Sequence, residues 1–328
     1  MGTQIDKTQV PSSLILPAII PQDGFIFPSG AVVKAYFEDS IYSPTPIFYD
    51  GTSLRKYLSV YSDGTYMYVI FSDDGITWNS QATITGTAPN GYHSSAIVIG
   101  TTFHLFYWDS SLIYTPAAIR HATFNISTSC SAATSDTPLS GNYVTGIDGN
   151  LRYGTYGAWK VFYNASPTNN ILNPYSYQWC IIHDGTDGNV EGILFAVSTD
   201  GYSFSAWNSL NEVIPRGTGS AWDLQIGALD IWIEGSIWYC LYSGGLGTSN
   251  GSDTNFGDGI GWATSLDGIN WIKSSLEPAM FKTMANKTAL RCYCPSVLKE
   301  DDGWRLYYTG KSSTGTYRVC KAILNQLY

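Results

Sequence analysis

Charged side chains are scarce in this sequence, and no part of it is strongly basic or continuously apolar. Asp, Glu, Lys and Arg make up 13% of the 328 residues, and the net charge is −9. Binding to nucleic-acid phosphates or anionic lipid headgroups needs a basic face, so we expect neither partner. The apolar segment 13–20 is too short to span a bilayer and contains Pro17. The N-terminus lacks a basic run before an apolar core, which predicts no signal peptide and no membrane insertion.

The six cysteines do not follow the spacing of a metal site. Cys292 and Cys294 are one residue apart, whereas a zinc knuckle needs two intervening residues and a second pair. Cys180 and Cys240 lie inside apolar segments, which favours buried free thiols. We therefore expect no metal and no cofactor. Without an export signal, the expected compartment is a reducing one such as the cytoplasm.

Aromatic residues are abundant, at 15% of the chain, and no amphipathic helix of ten residues is evident. A pattern Ser-x-Asp-Gly-x-x-aromatic occurs at residues 72–78, 198–204 and 265–271. Asp-Gly favours a tight turn, because Gly accepts positive φ and Asp bonds to the backbone two residues on. The three Asp residues are therefore predicted to form turns and not to act as catalysts.

The spacing of this motif indicates repeated β-sheets. Residues 198 and 265 are one repeat apart, and residues 72 and 198 are about two repeats apart, which predicts a decayed copy near residue 135. Each copy follows an apolar strand and an aromatic-rich strand, giving five units. The fold class predicted is all-β, a five-bladed β-propeller over residues 31–328 after an extended arm or linker at residues 1–30. We expect a strand at residues 31–36 to complete the fifth blade.

The segment 261–271, Gly-Trp-Ala-Thr-Ser-Leu-Asp-Gly-Ile-Asn-Trp, resembles the blade ending of the five-bladed glycoside hydrolases. These are glycoside hydrolase family 43, which contains arabinanases and β-xylosidases, and its invertase, levansucrase and mannoside-phosphorylase relatives. The resemblance implies an active site at the axis, with three carboxylates on the innermost strands of the first three blades. One Asp would be the base, a second Asp would have an orienting and tuning role, and a Glu would be the acid.

This sequence offers an incomplete set of acids at the positions that the resemblance implies. Asp39, with Glu38 beside it, precedes the first innermost strand, and His93 stands where the second blade should have Asp. The third blade offers no acid there, since Glu191 is interpreted as belonging to a hairpin on the wrong side of the blade. Asp223 precedes the innermost strand of the fourth blade. Asp39 and Asp223 are therefore weak catalytic candidates, and the catalytic set is otherwise unknown.

Aromatic and polar residues near the predicted axis are the expected ligand-binding residues. Sugars combine an apolar ring face with a polar rim, so they need aromatic stacking and directional hydrogen bonds. The set is Tyr42, Tyr92, His93, Arg152, Tyr153, Trp222, Asp223, Gln225, Arg291 and Tyr293. The same residues could instead fill the channel of a structural scaffold, and Asp223 could pair with Arg291 between adjacent blades.

The N-terminal segment is similar in style to the attachment segments of bacteriophage tail and fibre proteins. The leading hypothesis is a non-catalytic glycan-binding propeller of a virion, assembled in the host cytoplasm and anchored to another structural protein through residues 1–30. An active family-43-like glycoside hydrolase is the first alternative. A purely structural scaffold propeller is the second.

Overall fold

The computed structural model describes residues 18–21, 40–42, 48–62, 65–74, 78–88, 91–112, 115–143, 157–165, 177–186, 191–207, 212–219, 221–234, 237–246, 257–273, 278–282, 290–300, 303–313 and 317–325. Nearly all of the regular structure in these residues is β. The strands are β1 Ala18–Pro21, β2 Ser40–Tyr42, β3 Phe48–Tyr49, β4 Leu54–Arg55, β5 Tyr57–Ser62, β6 Met67–Ser72, β7 Trp78–Thr83, β8 Gly91–Ile99, β9 Thr102–Asp109, β10 Ile119–Asn125, β11 Ser135–Pro138, β12 Ser140–Gly141, β13 Ala158–Tyr163, β14 Trp179–Thr186, β15 Glu191–Ser198, β16 Ser203–Ala206, β17 Gln225–Glu234, β18 Ile237–Gly245, β19 Gly259–Ser265, β20 Trp271–Lys273, β21 Met280–Phe281, β22 Arg291–Glu300, β23 Gly303–Lys311 and β24 Tyr317–Asn325. Two 3₁₀ turns, Ser110–Leu112 and Pro116–Ala118, separate β9 from β10.

Five sheets of four or five strands form the blades of a β-propeller. From the axis outward they are β2-β5-β6-β7, β8-β9-β10-β11, β13-β14-β15-β16-β12, β17-β18-β19-β20 and β22-β23-β24-β1, and β21 pairs with β19. Each innermost strand contacts those of the two neighbouring blades, and β22 contacts β2, so the ring closes. This confirms the predicted all-β propeller. None of the helices in the described part of the chain has the length and apolarity to cross a bilayer.

Apolar faces of neighbouring blades pack together and form the core. Residues 58 and 105 belong to the cluster between the first and second blades, and residues 182 and 229 to the one between the third and fourth. Side chains on one face of a strand recur every second residue. Strands buried on both faces therefore need apolar residues at nearly every position, which explains the low charge content.

The fifth blade is completed by a segment different from the one that the sequence predicts. Strand β1, Ala18–Pro21, pairs antiparallel with β24, from Ala18 opposite Asn325 to Pro21 opposite Ala322. Four residues of the predicted arm therefore belong to the propeller. Closure by an N-terminal strand was expected, but residues 31–36 lie outside the described residues. A strand of only four residues is too short to stand out from the sequence around it.

The Ser-x-Asp-Gly motif forms a hydrogen-bonded turn, as predicted. Ser265 Oγ accepts hydrogen bonds from the backbone N–H of Asp267 at 3.2 Å and of Gly268 at 2.9 Å. Asp267 Oδ1 accepts from the N–H groups of Ile269 and Asn270 at 2.9 and 2.7 Å. The carboxylate therefore accepts hydrogen bonds within its own turn, where it takes the place of a backbone carbonyl acceptor.

The glycine of the motif is required by both conformation and space. Gly268 has φ +70°, and a Cβ there would lie 2.9 Å from the indole ring of Trp238. The motif's last residue, Trp271, meets the same indole edge to face, with ring centroids 6.5 Å apart. The equivalent turn at Ser198 and Asp200 has the same bonds. In the second blade, β11 begins at residue 135, where the decayed copy was expected.

A pair of histidines lies between the second and third blades. His104 Nδ1 is 2.9 Å from His121 Nε2, and His121 Nδ1 is 3.1 Å from the carbonyl oxygen of Gly201. Because a carbonyl only accepts, His121 Nδ1 carries a proton, and its Nε2 accepts from His104. Burial lowers the pKa of His104 to about 4 and, with the charge of His104, that of His121 to about 3. Both rings are therefore neutral packing groups at physiological pH.

Candidate functional site

The strand order brings the starts of the innermost strands, and the turns between the second and third strands, to the same end of the ring. We call this end the front face and define it as the end at which the innermost strands β8, β13, β17 and β22 begin. In an antiparallel blade the second strand returns to that end, and the third strand starts there. The turn between the second and third strands therefore also lies at the front face. In the third blade this turn lies between Thr186 and Glu191.

Two carboxyl groups stand side by side at this turn. Glu191 is directly opposite Thr186 in the register of β14 and β15, and Asp184 is two residues before Thr186. Asp184 and Glu191 are therefore diagonal neighbours on the same face of the sheet, roughly 7–8 Å apart at the backbone. That face continues through Ile182 and Ile193, which pack against the fourth blade. The carboxyl pair thus lies where the cleft between the third and fourth blades reaches the front face.

The two carboxyl groups have unequal surroundings. Asp184 is buried and Glu191 is partly exposed. Burial and the negative charge of Asp184 together raise the pKa of Glu191 to about 8, against the opposing positive charge of Arg291 from the fifth blade. Glu191 is therefore protonated in a large fraction of molecules at neutral pH. A protonated acid next to a second carboxyl group is the pairing from which acid–base chemistry is built.

The interpretation of Glu191 as lying on the wrong side of its blade is wrong. The antiparallel order of β13, β14 and β15 instead places the start of β15 beside the start of β13. Counting strand direction along the sequence would have found this. No local motif marks Asp184 or Glu191, since they are seven residues apart on two different strands.

A ring of β-bulges surrounds the axis just inside the front face. The register shifts by a residue or more near the start of β8, β13, β17 and β22. Three bulge residues have positive φ although none is glycine: His93 at 48°, Ala228 at 30° and Cys294 at 56°. Each such conformation costs about 1–3 kcal/mol, and such strain clusters at functional sites. Its recurrence at one level in three blades points to the axis as the functional centre.

Serine hydroxyl groups hold these bulges in place, both within a blade and across to the next blade. Ser243 Oγ donates to the carbonyl oxygen of Ala228 at 2.9 Å and accepts from the N–H of Cys294 at 2.8 Å. Ser95 Oγ accepts from the N–H of Val161 in the next blade at 3.1 Å. The unpaired inner edges of the blades are thus satisfied by hydroxyl groups across the blade interfaces.

Four aromatic rings form a continuous line from the second blade to the third, and all are partly exposed. Tyr92 and Trp108 have ring centroids 5.6 Å apart, and His93 and Trp108 are 5.3 Å apart. His93 lies 4.9 Å from Trp159. Trp159 also packs against the cluster that contains Ala228. We call Tyr92, His93, Trp108 and Trp159 the aromatic line.

Asp223 pairs with a residue other than the one that the sequence suggests, and Trp222 packs beside it. Asp223 is buried, and its Oδ2 accepts hydrogen bonds from Lys273 Nζ at 2.6 Å and from the Tyr242 hydroxyl at 3.1 Å. Its ion-pair partner is therefore Lys273 of its own blade and not Arg291. Trp222 is partly exposed and stacks on Tyr242, with centroids 6.0 Å apart, where it packs against the core between the third and fourth blades. The bonds to Asp223 engage its carboxylate and argue against Asp223 as a catalytic base.

The other predicted residues fall into three groups. Gln225 is buried at the start of β17, Arg291 begins β22, and the Arg291 guanidinium lies 5.0 Å from the ring centroid of the buried Tyr293. With Tyr92 and His93, these residues do converge on the front half of the axis. Tyr42 lies opposite Leu58 in the backbone register of β2. Asp39, Arg152 and Tyr153 lie outside the described residues.

Within the described ranges, no group of three or more His, Cys, Asp and Glu side chains is placed to hold a metal ion. The six cysteines are buried free thiols, which confirms the expectation for Cys180 and Cys240; five lie on strands, and Cys130 lies in a bend after β10. The chemistry that the described front-face residues themselves offer is that of carboxyl groups, a guanidinium and aromatic rings.

Comparison with known proteins identifies the fold. No protein-family model and no curated protein sequence matches the chain. Among solved structures, a glycoside hydrolase is 14% identical, covers 93% of this chain and 92% of its own, and has a TM-score of 0.62. A thermostable family-43 glycoside hydrolase is 13% identical, with 91% and 92% coverage and a TM-score of 0.60. An α-L-arabinofuranosidase from Lactobacillus brevis is 12% identical, with 90% and 92% coverage and a TM-score of 0.58. At these identities the likeness shows a shared propeller fold.

Proposed function

We propose that this protein is a glycoside hydrolase whose reaction takes place at the front face. The observation that carries the proposal is the pair Asp184 and Glu191, two neighbouring carboxyl groups with unequal environments. Glycoside hydrolysis requires one carboxyl group to supply a proton and another to activate the attacking oxygen. Environments that separate the pKa values of two such groups assign them these two roles.

In the proposed reaction Glu191 is the general acid. It donates its proton to the glycosidic oxygen while the bond from that oxygen to the anomeric carbon breaks, and the bonding electrons leave with the alcohol. Asp184 accepts a proton from water as the water oxygen bonds to the anomeric carbon. Proton exchange with solvent then restores both groups, so one water is consumed for each bond cleaved. Arg291 limits how far the pKa of Glu191 rises, which keeps the group able to release its proton.

The solved structures support hydrolysis over binding alone, since the three described above are a glycoside hydrolase, a family-43 glycoside hydrolase and an arabinofuranosidase. The proposed acids nevertheless differ from those that the family resemblance implies. They lie on the second and third strands of the third blade and not on innermost strands.

The second candidate is glycan binding without catalysis, and the aromatic line favours it because exposed rings stack on sugars. A virion appendage that binds host-surface carbohydrate would be one form of it. Its location in a virion, and attachment to another structural protein through residues 1–30, stay proposals. Of that segment, residues 18–21 are engaged in the fifth blade.

The test replaces each carboxyl group conservatively, as Glu191→Gln and Asp184→Asn. Substrates are arabinan, xylan and matching aryl glycosides, including dinitrophenyl glycosides, whose leaving group departs without protonation. We expect Glu191→Gln to lower hydrolysis of unactivated substrates by about 10²–10⁴-fold and of dinitrophenyl glycosides by less than about tenfold. Asp184→Asn should lower both. Wild-type activity should fall as the pH rises through the pKa of Glu191, about 8, because the acid must be protonated.

The matched control is Glu234→Gln at the opposite end of β17, where Glu234 accepts a hydrogen bond from the Trp304 indole at 3.1 Å. This variant should keep wild-type activity, and circular dichroism should show all three variants folded. A wild-type protein that binds one of these glycans without cleaving it would contradict hydrolysis and leave glycan binding. Equal activity of wild type and Glu191→Gln would reject the assigned acid.

A further inference from the structure

We infer that Tyr92 and Trp108 form a sugar-binding subsite beside the carboxyl pair, so that the ligand is a neutral glycan chain and not a single terminal sugar. This inference rests on the proposed function, since it names the substrate class of the same site. It adds a second place of contact with the ligand, on the second blade, to the carboxyl pair on the third blade.

The position of the two rings follows from the register of the second blade. Tyr92 is directly opposite Trp108 in the pairing of β8 with β9, so both side chains emerge on one face. Farther from the front face, the next pair on that side is Ser95 and Phe106, and both are buried. Phe106 belongs to the core between the second and third blades. Tyr92 and Trp108 therefore extend this packed face to the solvent at the front of the ring.

The aromatic line connects this subsite to the cleft that holds the carboxyl pair. His93 lies between the rings of Trp108 and Trp159, at 5.3 and 4.9 Å. Trp159 packs against the cluster between the third and fourth blades, and Ile182 and Ile193 of that cluster precede Asp184 and follow Glu191. A Cβ at Gly157 would lie 2.7 Å from His93 Cβ, so glycine permits the close approach of the two blades here. A chain bound at the carboxyl pair would thus meet Trp159 first and Trp108 beyond it.

The chemistry of the subsite suits an uncharged sugar. The rings of Tyr92 and Trp108 are tilted by 42° and offer large apolar faces with a polar tip. The nearest acid in sequence, Asp109, is buried, and its carboxylate accepts hydrogen bonds from the Ser111 N–H at 3.1 Å and hydroxyl at 2.6 Å. Its charge is therefore engaged locally and does not define the subsite. Rings of this kind stack against pyranose or furanose faces.

A second aromatic cluster provides an internal control. Trp232, Tyr239, Trp262 and Trp304 lie in the fourth and fifth blades with centroids 5.3–5.5 Å apart. Trp232 and Tyr239 are partly exposed, as are the rings of the proposed subsite. This cluster lies toward the end of β17, away from the front face and from the carboxyl pair. Nonspecific binding of sugars to aromatic surface would occur at both clusters, whereas a true subsite would bind sugars only at the front cluster.

The experiment measures binding of arabino- and xylo-oligosaccharides of one to five sugars by calorimetry, with Glu191→Gln as the background to prevent turnover. We expect affinity to increase with chain length. Trp108→Ala should weaken binding of the five-sugar ligand by about three- to tenfold and leave the single sugar unchanged. Trp108→Phe keeps a ring and should recover most of the affinity. Trp232→Ala should change neither ligand.

Four results would overturn the inference. These are no binding of any oligosaccharide, affinity independent of chain length, equal loss for one and five sugars in Trp108→Ala, and equal losses in Trp108→Ala and Trp232→Ala. If Trp108→Ala does not fold, Trp108→Leu and Tyr92→Leu provide the same comparison, since leucine removes the ring but keeps an apolar side chain. Failure of the proposed function looks different: the wild type would bind the chain with the predicted length dependence but cleave none of it.

Discussion

Asp230 connects three blades, and its replacement should destabilise the whole ring. Its Oδ1 lies 2.5 Å from Lys160 Nζ of the third blade, and its Oδ2 accepts from the N–H of Val297 of the fifth blade at 2.6 Å. Asp230 itself lies on β17 of the fourth blade and is only 5% exposed. In Asp230→Asn the amide oxygen can still accept from Val297, but Lys160 loses its counter-charge. The amide nitrogen then also faces the Ile231 N–H, which donates to Oδ1 at 2.8 Å in the wild type, so the variant removes the ionic contact together with this hydrogen bond.

The burial of the two partners sets the size of the effect. Breaking a fully buried ion pair costs about 3–5 kcal/mol, because one charge is left without compensation. The Lys160 side chain is 28% exposed and can recover part of its hydration. We therefore expect Asp230→Asn to lower the free energy of unfolding by about 2–3 kcal/mol. In a double-mutant cycle with Lys160→Met, the coupling energy should be about 1–2 kcal/mol.

Equilibrium urea unfolding followed by tryptophan fluorescence measures both quantities. The matched control is Asp73→Asn, which removes an exposed ion pair with Arg55 of similar length, 2.6 Å, in which the Asp73 side chain is 61% exposed. That variant should change stability much less than Asp230→Asn does, because solvent screens an exposed ion pair. Similar small losses in Asp230→Asn and Asp73→Asn, or a coupling energy near zero with Lys160, would refute the conclusion that Asp230 stabilises the junction of three blades.

Two further predictions concern the blade interfaces and the turns. Because the pKa of His121 is about 3 in the folded chain against 6.5 when unperturbed, the unfolded chain takes up the proton first, and stability should be lost as the pH falls below about 6.5. At about pH 4 the loss from His121 should reach up to about 3 kcal/mol, and thermal melts should show a shallower pH dependence in His121→Phe. Gly268→Ala should destabilise by about 1 kcal/mol more than Gly100→Ala, since both have positive φ but only Gly268 would place its Cβ against a ring, that of Trp238. Equal melting temperatures of the two alanine variants would contradict the role assigned to that contact.

The repeat motif shows how far local chemistry determines this fold. The Ser, Asp and Gly of each turn are adjacent in the chain, and their hydrogen bonds involve residues within three positions of one another. Such bonds need no tertiary partner, so the turn at residues 265–271 could be predicted from its local amino-acid sequence. Strand periodicity is equally local, and together the two features led to the propeller.

The candidate site depends on contacts between residues that are remote in the sequence. The sequence presents Asp223 as a candidate base. The structure shows that its carboxylate pairs with Lys273, a residue fifty positions away on the outermost strand of the same blade. Strand β1 closes the fifth blade through partners near the other end of the chain. Such pairings are between residues remote in sequence, and nothing in either segment alone specifies its partner.

The all-β class, the turns and the repeating blades follow from local sequence patterns, because strand periodicity and turn chemistry depend on residues within a few positions of one another. Which acids lie together depends on how the strands and blades assemble. Glu191 is diagonal to Asp184 because β14 and β15 return to the front face, and Arg291 acts on it because the ring brings in another blade. The raised pKa of Glu191 is thus a property of the closed ring, since it arises from burial and from charges that only folding brings together.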